Sequence, residues 1–390
     1  MGAEITTMTL DIDAALRDGY EVHCAALERG MDITLLARQV LMVGSGNPII
    51  GDASFVHGVP QGSSVAGVTY AQDKRVRRAL LERGGFTVPR GATFSIGRSA
   101  RGAVAFAERI GYPVVVKPTM GDNAIGVIPS IRNSEQLEDA IEYLHTPFED
   151  REDFTRASYA MTELREPGLR DGVRVAPPSY RFLVEREVPG QYIRLFIIDG
   201  KVRNAMYCPD GPWNAQKSGL QDVTSQIHPT LADYAASAAR VVPGLFIAAV
   251  DVVVPDFRAS TARKNIHIVE YSERPWLGLQ AGHNIELARD LAAQVLHSEL
   301  RSKPTLETRD SVAVGVKIDG AVAPESFKEA FGAKSSELGL ESSLVVTDPA
   351  LGHITGQLSG GVREIVWLVE TALDEGVDGH RAMLAEVRME

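Results

Sequence analysis

Apolar residues recur at helical spacing over residues 12–31, through Ala15, Leu16, Cys24 and Leu27, and predict a helix that ends near Gly30. Strand-like runs at 33–37 and 40–43 follow, then Gly44-Ser45-Gly46-Asn47-Pro48 breaks the pattern as a turn. That turn lacks the third glycine and the following helix of a dinucleotide fingerprint. Farther along, the periodicity predicts helices at 71–84, 98–111 and 135–144, the last capped by Asn133-Ser134. Between them lie extended segments at 86–90, 114–117 and 127–131. Residues 146–178 are rich in charge and proline with little periodicity, the pattern of a lid or binding loop or of a disordered segment. Strands at 180–187, 192–199 and 201–207 and a helix at 231–242 come next. Two apolar strands, 247–251 and 266–270, each deliver a carboxylate at or near their C-terminal ends, and a helix at 285–301 follows. The tail reads strand 311–318, helix 324–338, strands 343–347 and 354–359, helix 361–375 and strand 382–387. That βαββαβ order is the ferredoxin-like split motif.

The expected fold is therefore a mixture of α/β and α+β parts. A small N-terminal α/β cap spans 1–70, a main domain 71–302 with the insert 146–178, and a C-terminal ferredoxin-like domain 305–390. At 390 residues the chain is long enough for two or three cores. A hydrophobic fraction of 44% and a charged fraction of 23% are those of a globular protein. The net charge of −11 argues against a nucleic-acid partner or an anionic membrane, since neither gains from an acidic surface. Cys24 and Cys208 are the only cysteines, which excludes a disulfide framework or a cysteine zinc site and points to a reducing, cytoplasmic setting. No apolar run reaches the roughly 18–20 residues that span a bilayer. Met1-Gly2-Ala3-Glu4-Ile5-Thr6 fits a myristoylation pattern, one short match outweighed by an ordinary start.

The chemistry lies in two segments. Val114-Val115-Val116-Lys117-Pro118 puts a lysine at the end of a strand, with Gly121 and Gly126 just beyond it. A cation followed by a glycine-rich turn can hold phosphates. Asp251 and Glu270, with Ser272 or Glu273 as a further oxygen donor, can hold magnesium beside them. Lys74 is a second candidate cation. Glu185 or Glu187, in the Val184-Glu185-Arg186-Glu187 segment, could accept from ribose hydroxyls. Arg194, on the next strand, could reach a transferred phosphoryl group. Together these describe a site for ATP and Mg2+.

Taken in order, Asp73-Lys74, Pro113 to Pro118, Val184-Glu185-Arg186, Asp251 and Val269-Glu270-x-Ser272-x-Arg274-Pro275 resemble the ATP-grasp superfamily. Over about residues 35 to 300 the chain is most similar to the ligase domain of cyanophycin synthetase and related amino-acid ligases. The resemblance implies an ATP-grasp fold and a carboxylate–amine ligase, in which ATP phosphorylates a carboxylate and an amine attacks the acyl phosphate. It implies ATP binding by Lys74, Lys117, Gly121, Gly126, Glu185, Arg186 and Glu187, and magnesium binding by Asp251, Glu270 and Ser272. Arg194 would steady the phosphoryl group, and Arg274 and His283 would meet the amine. The expected partners are a small-molecule carboxylate and amine (amino acids or peptides), with biosynthesis of a peptide-like natural product as the expected setting and the protein a homodimer. Two departures stand out: Ser272 occupies the place of the superfamily's metal-binding asparagine, and the Gly121–Gly126 loop lacks an extra glycine and arginine. An acceptor other than an amine (a thiol, hydroxyl or carrier protein) is the alternative reaction. A nucleotide-binding regulator that has lost turnover is the non-enzymatic one.

The tail resembles an acylphosphatase domain, with Asp319-Gly320-Ala321 at the phosphate-loop position. Val322-Ala323-Pro324 stands where that family has its catalytic arginine, and the strand 343–347 lacks its asparagine. The expected role is structural or dimer-forming.

Overall fold

In the computed structural model the described residues are 10, 12–13, 16–121, 126–147, 150–151, 168–175, 180–211, 219–302 and 307–390. The interior of the glycine-rich loop, most of the 146–178 insert and the myristoylation-like start lie outside them. Helices and antiparallel sheets make up two units, Ser63–Pro275 and a second formed by Met1–Gly62 with Trp276–Glu390.

The Ser63–Pro275 unit contains two larger sheets. One runs Gly91–Ser95, Arg181–Arg186, Val114–Pro118, Ile128–Ile131 in spatial order. Its core face carries Val114, Val116, Phe182 and Val184, packed with Ala103, Ala107, Leu137 and Leu144 of helices Ala100–Ile110 and Ser134–His145. The second of these helices starts where expected, because Asn133 Oδ1 accepts from the Gln136 N–H at 2.9 Å. The other sheet runs Gln221–Asp222, Lys201–Cys208, Gln191–Ile198, Ile247–Val254, His267–Ser272. Ile247–Val254 is buried at every position, which is why it reads as a continuous apolar run. It continues three residues past Asp251, so that carboxylate sits within the strand rather than at its end.

Three local expectations change. The helix expected over 71–84 is two helices, Val65–Gln72 and Lys74–Arg83, parted at Asp73 (φ −87°, ψ 104°). Asp73 Oδ1 accepts from the Arg75 N–H at 2.9 Å and caps the second helix, a local bond that competes with helix continuation. The extended segment 86–90 makes no strand; Pro89 has no N–H to give a ladder, and the strand begins at Gly91. Within the insert, Gly168–Arg170 and Val173–Val175 form a hairpin through Asp171 and Gly172, both at positive φ. That Asp-Gly pair is a turn signal the periodicity overlooked.

The second unit centres on an eight-stranded antiparallel sheet. Its order is Glu341–Asp348, His353–Gly361, Ser311–Asp319, Leu384–Met389, Asp32–Leu36, Val40–Gly44, Ala53–Val56, Val59–Pro60. The partition of the chain expected from sequence differs here. Val387 pairs with Val316 on one side and Ile33 on the other, so the N-terminal and C-terminal segments share one sheet. Helix Ile285–Glu299, expected in the main domain, also belongs to this unit. Apolar alternation marks which face a strand buries but not which strand it pairs with, so this pairing is silent in the sequence.

Candidate functional site

In the Ser63–Pro275 unit a pocket is lined by residues of both larger sheets and of helix Lys74–Arg83, among them Lys74, Arg77, Arg78, Lys117, Glu185 and Glu270. Four cations against two carboxylates leave it positively charged, a setting for an anion.

Lys117 is buried at the end of its strand. Its Nζ lies 2.6 Å from Glu185 Oε2 and donates to the Val269 carbonyl at 2.9 Å, bridging the two sheets. Burial pulls the amine below the usual lysine value, and the Glu185 charge opposes that pull. Glu185 Oε1 accepts from Arg78 Nη1 at 2.6 Å, so one carboxylate joins two cations. Lys74 Nζ donates to the Gly121 carbonyl at 2.6 Å, and the Lys74 N–H donates to Thr119 O at 2.8 Å. The first residue of the helix is thereby tied to the start of the glycine-rich loop.

A second constellation crosses the five-stranded sheet. Arg194 and Asp251 are Cα partners on neighbouring strands, and Asp251 and Glu270 are partners on the next pair. Directly paired residues project from the same face, so the three side chains form a row. Asp251 Oδ2 accepts from Tyr192 Oη at 2.5 Å and from Arg194 Nη1 at 3.2 Å. Its Oδ1 is buried and has no hydrogen-bond partner among the described residues. Burial and the Asp251 charge push the Tyr192 phenol far up, which keeps it a donor. Glu270 Oε1 pairs with Arg77 Nη2. Arg77 Nη1 is itself held by the Tyr271 carbonyl at 2.6 Å and the Ala71 carbonyl at 3.1 Å. Burial lowers Arg77 to about 10, which still leaves it charged at neutral pH.

The structure does not bring every predicted residue to this pocket. Alternation along Arg181–Arg186 turns Leu183 and Glu185 toward it and Arg186 away; Arg186 Nη1 donates to the Ile110 carbonyl at 2.6 Å. Glu187 accepts from the Ser130 N–H at 2.7 Å, just beyond the strand. Ser272 Oγ accepts from the Arg274 N–H at 3.1 Å, and Arg274 is buried behind that turn. Gly121 and Gly126 both have positive φ. His283 ends the short helix Gly278–His283 in the other unit and is exposed. Among the described residues no group of three or more His, Cys, Asp or Glu could hold a metal ion. Asp251 and Glu270 are a pair, and the orphaned Oδ1 fits a hard cation.

Sequence reasoning missed Arg77, Arg78 and Tyr192. The first two follow Lys74 at i+3 and i+4, the spacing that places side chains on one helix face. Tyr192 lies two residues before Arg194, on the same strand face.

No family profile matches the chain. In sequence it is 35% identical over 100 residues to D-alanine–D-alanine ligase B of Xanthomonas campestris pv. campestris, covering 25% of this chain and 31% of the relative. It is 32% identical over 80 residues to cyanophycin synthetase of Trichormus variabilis, covering 20% of this chain and 9% of the relative. These relatives are a ligase and a synthetase. The chain thus matches under a third of the first and under a tenth of the second. Among solved structures, D-alanine–D-alanine ligase from Bacillus anthracis complexed with ATP aligns with a TM-score of 0.40 at 15% identity, over 61% of this chain and 66% of that one. The ATP-grasp ligase PsnB, complexed with precursor peptide PsnA2 and AMPPNP, aligns with a TM-score of 0.38 at 16% identity, over 60% and 59%. Among the described residues no helix is long and apolar enough to cross a membrane.

Proposed function

We propose that this protein is an ATP-dependent ligase that activates a carboxylate as its acyl phosphate and transfers the acyl group to an amine, forming an amide. The observation that carries the reading is a pocket lined by Lys74, Arg77, Arg78, Lys117 and Glu270, with Asp251 paired to Glu270 on the neighbouring strand. Partial similarity to D-alanine–D-alanine ligase and cyanophycin synthetase supports it. In the first step a substrate carboxylate oxygen bonds to the γ-phosphorus of ATP as the bond to ADP breaks. In the second the amine nitrogen bonds to the acyl carbon, phosphate leaves, and the nitrogen loses a proton. Neither step asks the protein for a covalent bond, so its work is to position reactants and offset charge.

Lys117 and Lys74 reach the phosphates in this reading, and Arg194 steadies the transferred group. Glu185 orients Lys117 until nucleotide enters. Asp251 and Glu270 would hold Mg2+, which when bound offsets phosphate charge. Amino acids or short peptides are the proposed substrates. The tail, with the sheet order Glu341–Asp348, His353–Gly361, Ser311–Asp319, Leu384–Met389, is read as a ferredoxin-like element without acylphosphatase chemistry.

The test is ADP release by purified protein with Mg-ATP and a pooled panel of amino acids, dipeptides and small acids, followed by mass spectrometry. ADP with a new mass of acid plus amine minus water is the expected result. ATP binding without any acceptor-dependent ADP release would refute turnover and leave a nucleotide-binding role.

A further inference from the structure

Each carboxylate in the cross-strand row has one oxygen committed and one without a hydrogen bond among the described residues. Asp251 Oδ2 takes the Tyr192 and Arg194 donors, whereas the buried Oδ1 takes none among the described residues. Glu270 Oε1 takes Arg77 and the Tyr271 N–H, the latter at 3.3 Å, and Oε2 makes no hydrogen bond among the described residues. The groups holding the committed oxygens are fixed in turn. Tyr192 is buried on the strand beside Asp251, at the diagonal position from which an aromatic side chain reaches across a sheet. Arg77 is buried and anchored by two backbone carbonyls.

We infer that Tyr192 and Arg77 are positioning residues for a divalent cation, each clamping one carboxylate oxygen so that Asp251 Oδ1 and Glu270 Oε2 are presented as single-oxygen donors. The inference rests on the ATP-dependent reading above, and goes beyond it in assigning how cation choice is built. Mg2+ and Mn2+ favour compact octahedral sets, whereas Ca2+ accepts bidentate carboxylates and higher coordination numbers. A carboxylate held through one oxygen must give up or share that hydrogen bond to turn both oxygens on one cation. The clamp therefore favours the smaller ions, and a phenol without its hydroxyl would relax that preference.

The test uses Tyr192→Phe in the full chain, with Mn2+ and Ca2+ titrated separately in the presence of AMPPNP. Free Mn2+ is read by electron paramagnetic resonance and Ca2+ by calorimetry. AMPPNP alone is titrated in chelator. The expected result is a loss of Mn2+ affinity of about 10–100-fold, the usual cost of removing an outer-sphere partner. Ca2+ affinity should fall less and metal-free AMPPNP binding should not change. A tyrosine that only staples two strands would lower the melting temperature of metal-free protein and leave Mn2+ affinity at the wild-type value, which overturns the inference while the ligase reading stands. Wild-type protein that binds no Mn2+ with AMPPNP would overturn both. If Tyr192→Phe is unfolded at the assay temperature, Arg77→Lys takes its place; it keeps the charge, loses the fork, and is expected to weaken Mn2+ selectively. Wild-type Mn2+ affinity there overturns the inference as well.

Discussion

Replacing Lys117 with methionine removes a charge from the pocket while nearly preserving the length of the side chain. The Lys117 Nζ lies 2.6 Å from Glu185 Oε2 and 2.9 Å from the Val269 carbonyl, and it is held at the pocket wall by both. If it passes from these partners to the phosphates of ATP, the variant loses a hydrogen bond to a charged group, about 1.5–3 kcal/mol. That is roughly a tenfold to 150-fold weaker AMPPNP dissociation constant. In the transition state the loss should be about 2–4 kcal/mol, comparable to removing another preorganised donor. The same substitution strands Glu185, but Arg78 Nη1 remains 2.6 Å from Oε1. The stability cost should therefore fall to about 1–3 kcal/mol rather than that of an unpaired buried ion. AMPPNP titration, acceptor-dependent ADP release and thermal melting measure the three quantities. Lys117→Met combined with Glu185→Gln separates them, because it removes the stranded charge: melting should recover and nucleotide affinity should not. Binding and rate within twofold of wild type in folded Lys117→Met would refute the reasoning and make this lysine a strut between two sheets.

Three other expectations are independent of substrate. Asp73→Ala should cost about 1 kcal/mol in thermal unfolding through loss of the helix cap. Burial raises the Asp73 pKa, but the Arg75 side chain and the N–H groups of Arg75 and Val76 outweigh it and hold the carboxyl below 3.8. Its contribution is complete above that value and is lost as pH falls through the depressed one, so wild type and Asp73→Ala should converge in stability only in acid. Gly356→Ala should cost about 1–3 kcal/mol, because its Cβ would lie 1.9 Å from the Ser343 carbonyl and the strands must shift; an unchanged melting temperature would refute it. Lys328→Ala, which among the described residues breaks the surface pair with Glu325, should change stability by about 0–0.5 kcal/mol and turnover little. A large loss of rate would mean that the tail takes part in the reaction.

Most strands and helices were legible because their apolar positions keep period two or period 3.6 over their whole length. Val114–Pro118 and Val362–Asp374 fall within two residues of their expected bounds for that reason. Lys117, Asp251 and Glu270 were legible as candidates because a charge inside an apolar run must be paired or used. The partners that hold them were not. Arg77 and Tyr192 lie within expected elements, but nothing local shows what they hold, and their role arises from pairings across 59 residues for Tyr192 and Asp251 and 194 for Arg77 and Tyr271. Arg186 illustrates the opposite failure. It neighbours Glu185 in sequence, yet alternation puts it on the other face, where it meets the C-terminal end of a helix and can offset that end's partial negative charge.

The same limit explains the tail. Its four strands could close as an independent ferredoxin-like sheet, and sequence periodicity alone favours that reading. Leu384–Met389 would then be an open edge, with backbone donors and acceptors unpaired beside apolar Val387. Instead Asp32–Leu36 covers that edge with a register that buries Ile33 against the same sheet. Three further strands extend the sheet to the two-residue strand Val59–Pro60, where proline supplies no N–H for another strand to accept. The sheet is thus terminated on that side by sequence, not by lack of partners. Because the N-terminal strands complete the edge of the C-terminal ones, the tail is half of a shared core, and its apolar alternation was selected by a neighbour more than 300 residues away along the chain.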